Sequence, residues 1–118
     1  SQLSVMEVKG PDISKYGVIM SNKETGLVTG LIEKPNFENA PSNLASIGRY
    51  VLTPDIFDIL RNQPIGVAGE IQLADSINVQ AINNRVEAVL LNGMRFDCGS
   101  IEGYIAAIKY ASSKLKSD

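Results

Sequence analysis

The stretch Tyr16-Gly17-Val18-Ile19-Met20-Ser21-Asn22-Lys23-Glu24-Thr25-Gly26-Leu27-Val28-Thr29-Gly30-Leu31-Ile32-Glu33-Lys34-Pro35 decides the fold. Two β-rich apolar runs, 16–21 and 27–34, flank a polar connection of Asn, Lys, Glu, Thr and Gly, the composition of a hairpin turn. Pro35 then ends the second strand, because it has no N–H to give a ladder. Working back toward the N-terminus, 3–8 reads as another strand, closed by the turn residues Gly10-Pro11. Working forward, 36–43 is polar with Pro41 inside it and reads as a loop, and 45–52 reads as a strand.

Helical patterns follow. Thr53-Pro54-Asp55 combines an N-cap residue type, a proline suited to the first helical position and an early acid. Ile56, Phe57 and Leu60 then share a face. A second helix is expected from near Glu70, with Ile71, Ala74, Ile77, Ala81 and Ile82 on one stripe. Residues 86–91 form a further strand before the turn Asn92-Gly93. A last helix is expected after Ser100, its buried stripe being Ile101, Tyr104, Ile105, Ile108 and Leu115. The order predicts one α/β domain over 1–118, a mixed β-sheet flanked by helices, with no internal repeat and no linker.

Composition narrows the chemistry. The 118 residues are 44% hydrophobic and 20% charged, ordinary values for a globular chain with its own core. Eleven basic against 13 acidic residues leave a net charge of −2, which gives no electrostatic reason to expect nucleic acid as a partner. Apolar runs are only a few residues long, as at 89–91, so no membrane span is expected, and the first residues show no secretory leader pattern. The single cysteine, Cys98, suits a reducing cytoplasm. Histidine is absent, which removes the commonest general base and most catalytic zinc sites. Chemistry here falls to carboxylates, lysines, arginines, backbone amides or a hard metal ion.

Four places carry candidate residues. Glu33 and Lys34 leave the C-terminal end of a strand, where ligands of open α/β sheets collect. There a lysine can meet a phosphate and an acid can accept from hydroxyls, although two solvated charges would look the same. Gly17 inside a strand marks either a bulge or the close approach of a ligand. Asp97, in Phe96-Asp97-Cys98-Gly99-Ser100, can hold Mg²⁺ or hydrogen-bond the amides of the following turn. Cys98 reads as a small buried residue, since no base is on offer. Glu70, in Gly69-Glu70-Ile71-Gln72-Leu73, is explained by a favourable place at a helix N-terminus.

Together with Ala40-Pro41-Ser42-Asn43-Leu44-Ala45, Gly48-Arg49-Tyr50-Val51-Leu52 and Gly103-Tyr104, these motifs resemble the sugar-1-phosphate nucleotidyltransferases from Tyr16 onward. The Pro41–Ala45 and Gly48–Leu52 runs resemble the uridylyl branch of that family, with thymidylyl- or adenylyltransfer as the alternative. The resemblance implies the C-terminal, sugar-phosphate-binding half of a Rossmann-like fold. The implied reaction joins glucose 1-phosphate and UTP, with Mg²⁺ as cofactor. On that reading Lys34 holds the sugar phosphate, Glu33 the glucose hydroxyls, Gly17 offers its backbone to the hexose, and Asp97 binds Mg²⁺. Two departures are visible. Ile101 stands where the family usually has lysine, and nothing before Tyr16 matches the family's Gly-rich, arginine-containing nucleotide loop. The expectation is therefore a part of an enzyme, inactive alone or only a binding module, and prone to form homo-oligomers through uncovered apolar surface.

Overall fold

The computed structural model describes residues 1–117. Five strands, β1 (Gln2–Glu7), β2 (Gly17–Ser21), β3 (Val28–Glu33), β4 (Leu44–Val51) and β5 (Glu87–Leu90), combine with helices α1 (Ile56–Asn62), α2 (Leu73–Ile82) and α3 (Ile101–Ser117). The β2–β3 hairpin closes as its composition predicts. The Asn22 side-chain oxygen accepts the N–H groups of Glu24 (2.8 Å) and Thr25 (3.1 Å). That side-chain turn replaces backbone bonds the loop cannot make.

The sheet is mixed, in the order β3-β2-β4-β1-β5. Only β1 and β5 run parallel; the other neighbours are antiparallel. Its two edges meet at one end, where Val28 N–H donates to the Val86 carbonyl at 2.8 Å and Leu27 bridges Glu87. Between the pairs Leu3–Tyr50 and Val5–Ser46, β4 carries extra residues opposite β1. Gly48 lies in that bulge with φ 79°, a left-handed conformation that costs glycine little.

Side chains alternate across the sheet and build a core on each face. On one face Leu3, Val5, Ile19, Val28 and Leu31 are buried against Ile56 of α1 and Ile77 and Ala81 of α2. On the other, Val18 and Ala45 enclose Ile13 from the short 3₁₀ turn Pro11–Lys15. Fully burying each large aliphatic stabilises the fold by roughly 1.5–3 kcal/mol.

Four expectations need correction. The second helix starts at Leu73, with Gln72 as its cap; Glu70 precedes it and accepts a hydrogen bond from the Gln72 side chain (3.0 Å). Ile71 and Ile82, expected on its apolar stripe, are exposed, as is Phe57 of α1, because the sheet reaches only part of each stripe. The stripe of α3 is not buried: Ile101 and Leu115 are 76% and 78% exposed, since no other element of the described residues covers that helix. The first helix starts at Ile56 with Asp55 in the cap position, so Pro54 does not hold its first position. Thr53 stands two residues before that cap and donates its hydroxyl to the Asp55 carboxylate.

Candidate functional site

The helix-covered face of the sheet runs out at the end where β2 begins and β3 ends. Gly17 faces Glu33 across that pair and Ser46 of β4 on its other side. A Cβ on Gly17 would sit 3.0 Å from Glu33 Oε2 and 3.3 Å from Leu31 Cδ1, so the missing side chain is what lets the carboxylate lie across the strand. Gly17, Glu33, Ser46 and the Gly48 bulge line a cavity of about 260 Å³, joined by Tyr16, Ala74 of α2 and Arg95.

Lys34 takes an unusual conformation. Its φ of 44° turns the chain sharply out of β3, while its N–H still donates to the Tyr16 carbonyl at 3.0 Å. Such a left-handed residue costs roughly 1–2 kcal/mol unless it is glycine, and strain of this kind tends to gather at functional sites. Lys34 lines a neighbouring cavity of about 580 Å³ with Glu33, Glu70, Gln72 and Asp75. Glu33 and Ala74 line both cavities, and Glu33 is the charged residue they share.

Two further cations border the smaller cavity. Lys15 pairs with Asp12 at 3.1 Å, and that hydrogen bond and charge hold its ammonium above the ordinary lysine range. Arg95 donates to the Tyr16 hydroxyl (3.3 Å) and lies over the Tyr16 ring, its carbon 5.2 Å from the centroid. Neither was singled out from the sequence. Arg95 lies just before the Phe96-Asp97 motif, and a cation beside it was the one signal available. Ser46 carried no signal, because a serine in a strand marks nothing until its neighbours are known.

Asp97 is not among the residues lining the Gly17–Glu33 cavity, although its charge reaches Lys15, which is. Its Oδ1 accepts the Gly99 N–H (3.0 Å), and Ser100 Oγ accepts the Gly103 N–H (3.1 Å) to cap α3. A Cβ on Gly103 would fall 1.8 Å from the Asp97 carbonyl, so this turn requires glycine there. Of the two readings of Asp97, the structure shows the turn-forming one. No group of three or more His, Cys, Asp or Glu side chains converges among the described residues. An exposed carboxylate of this kind fits Mg²⁺ only as one protein ligand, with water and phosphate completing the shell. Cys98, expected to be buried, is exposed, because the turn presents it outward.

A mixed sheet with helices packed on one face, and a polar cavity at the ends of its strands, defines an α/β domain. The model of the family described as nucleotidyl transferase matches residues 1–114, and the chain belongs to that family. UTP–glucose-1-phosphate uridylyltransferase of Pseudomonas aeruginosa is 46% identical over 118 residues, covering 98% of this chain and 42% of that protein. The crystal structure of apo UDP-glucose pyrophosphorylase superposes with a TM-score of 0.86 at 46% identity, over 97% of this chain and 43% of the other. A UDP-glucose pyrophosphorylase complexed with UDP-glucose gives 0.83 at 46% identity, over 96% and 44%. The chain thus spans about two-fifths of the relatives it matches. Among the described residues no helix is long and apolar enough to cross a membrane.

Proposed function

We propose that this chain supplies the sugar-phosphate-binding part of an enzyme that transfers UMP from UTP to glucose 1-phosphate, giving UDP-glucose and pyrophosphate. The observation that carries the reading is the placement of the Glu33 carboxylate directly over Gly17 in a polar cavity, with Lys34 turned out beside it.

In this reaction a phosphate oxygen of the sugar attacks the α-phosphorus of UTP, the new P–O bond forms, and the bond to pyrophosphate breaks. No protein nucleophile or general base is required, which suits a chain without histidine. Two anions must instead be brought into line. Positioning can supply roughly 7–11 kcal/mol, and fixed cations offset the charge. Lys34 holds the sugar phosphate, Glu33 accepts from glucose hydroxyls, and Gly17 lets the hexose approach the backbone. Mg²⁺ is the proposed cofactor, with Asp97 as its ligand from this chain; when bound, it offsets phosphate charge. The compartment is proposed to be the cytoplasm, which suits an exposed lone thiol.

Titration of the chain with glucose 1-phosphate tests the reading. Saturable binding is expected, weakened roughly 10- to 100-fold by Lys34→Ala through loss of a charged hydrogen bond. The melting temperature should hold, since Lys34 is exposed. Incubated alone with UTP, Mg²⁺ and glucose 1-phosphate, the 118 residues should yield no UDP-glucose, because they contain no Gly-rich, arginine-bearing loop before Tyr16. Equal affinity in Lys34→Ala would remove Lys34 from the site.

A further inference from the structure

Ser46 stands out within the cavity. Its Oγ is shielded from solvent and has no hydrogen-bond partner, the one side-chain atom in that condition among the described residues. Buried hydroxyls are nearly always satisfied, so an orphan needs a reason. The position supplies one. Ser46 sits directly opposite Gly17, where no Cβ intervenes, and immediately before the bulge at Gly48. The same cavity wall carries Glu33 and Gly17, while the residue itself is only partly covered.

We infer that Ser46 is a specificity-determining residue that hydrogen-bonds a hydroxyl of the bound hexose. The inference rests on the sugar-phosphate reading above and names a further contact within that site. Ser46 lines the cavity, and rotation about χ1 between staggered serine rotamers brings Oγ from its shielded position toward it. A serine hydroxyl both donates and accepts, so it complements Glu33, which as a carboxylate only accepts. The pair can therefore read a hydroxyl by both its proton and its lone pairs. An aliphatic side chain at this point could reject nothing, whereas a site built to bond a hydroxyl discriminates against ligands that lack it.

Unliganded, the orphan hydroxyl is a burden. Ser46→Ala should therefore leave the melting temperature of the free chain unchanged or slightly raised. Its affinity for glucose 1-phosphate, by calorimetry, should fall about three- to tenfold. With the 2-, 3-, 4- and 6-deoxy analogues, that loss should vanish for the one analogue lacking the hydroxyl Ser46 contacts and persist for the others. Ser46→Thr, which keeps the hydroxyl, should retain more affinity than Ser46→Ala. If wild type and Ser46→Ala bind glucose 1-phosphate equally, or if the loss is the same for every analogue, Ser46 does not read the sugar. If Lys34→Ala weakens binding while Ser46→Ala does not, this inference fails and the site survives. Absence of binding by wild type overturns both.

Discussion

Asp55 shows how one side chain can tie distant segments together. Its carboxylate accepts from the Thr53 hydroxyl and from Gln80 Nε2 (3.2 Å), and meets Arg85 Nη1 at 3.0 Å. The Thr53 hydrogen bond is the main reason its pKa lies below the ordinary value of 3.8; partial burial opposes that, and Gln80 and Arg85 reinforce it. A depressed carboxylate stabilises the fold above its unfolded pKa and loses that contribution as pH falls through the lower native value. Acid unfolding monitored below pH 4 should therefore be less steep in Asp55→Asn than in wild type, while the two differ by a constant amount near neutrality. Superimposable acid limbs would show that Asp55 is not the group responsible. Thr53 is instructive in the same place. Its type and the proline after it mark a helix start within three residues of the true one, at Ile56. Its hydroxyl donates to Asp55 and accepts from Gln80 Nε2, which arrives from another helix.

One amide adds hydrogen bonds to the apolar packing of α2 against β3. β3 is an edge strand, and edge peptides left open invite pairing with other chains. Here Asn78 closes the edge: its Oδ1 accepts the Leu31 N–H at 2.6 Å and its Nδ2 donates to the Leu31 carbonyl at 3.0 Å. Asn78→Ala should destabilise the chain by about 1–3 kcal/mol, the cost of leaving partly buried backbone groups unsatisfied. Denaturant melts would measure this, and a change below about 0.5 kcal/mol would show that water replaces the amide freely. From sequence, Asn78 is merely a polar residue beside the apolar stripe of α2. The stripe itself, Ala74, Ile77 and Ala81, was legible because helical spacing is local. Its end residues Ile71 and Ile82 were misplaced because the length of a stripe says nothing about how far the opposing sheet extends.

The 118 residues leave α3 without a partner among the described elements, and its Ile101, Tyr104, Ile105 and Ile108 are all more than 45% exposed. Leu90 and Val51 at the β5 side add further uncovered apolar surface. The proposed outcome is association of like chains, since a contiguous apolar stripe of this kind seeks cover. Sedimentation at rising concentration should show species larger than the monomer, and Ile108→Glu should shift the distribution toward monomer without lowering the melting temperature. A monomer throughout would refute it. Hairpin turn chemistry, helix spacing, the absence of histidine and the family motifs are readable along the chain, because each depends on residues near one another or on composition alone. The parallel pairing of β1 with β5, the face-to-face placement of Gly17 and Glu33 and the orphan hydroxyl of Ser46 are not. They depend on which strands lie side by side and in what register, and that is settled by burying both faces of the sheet at once, a condition no single segment carries.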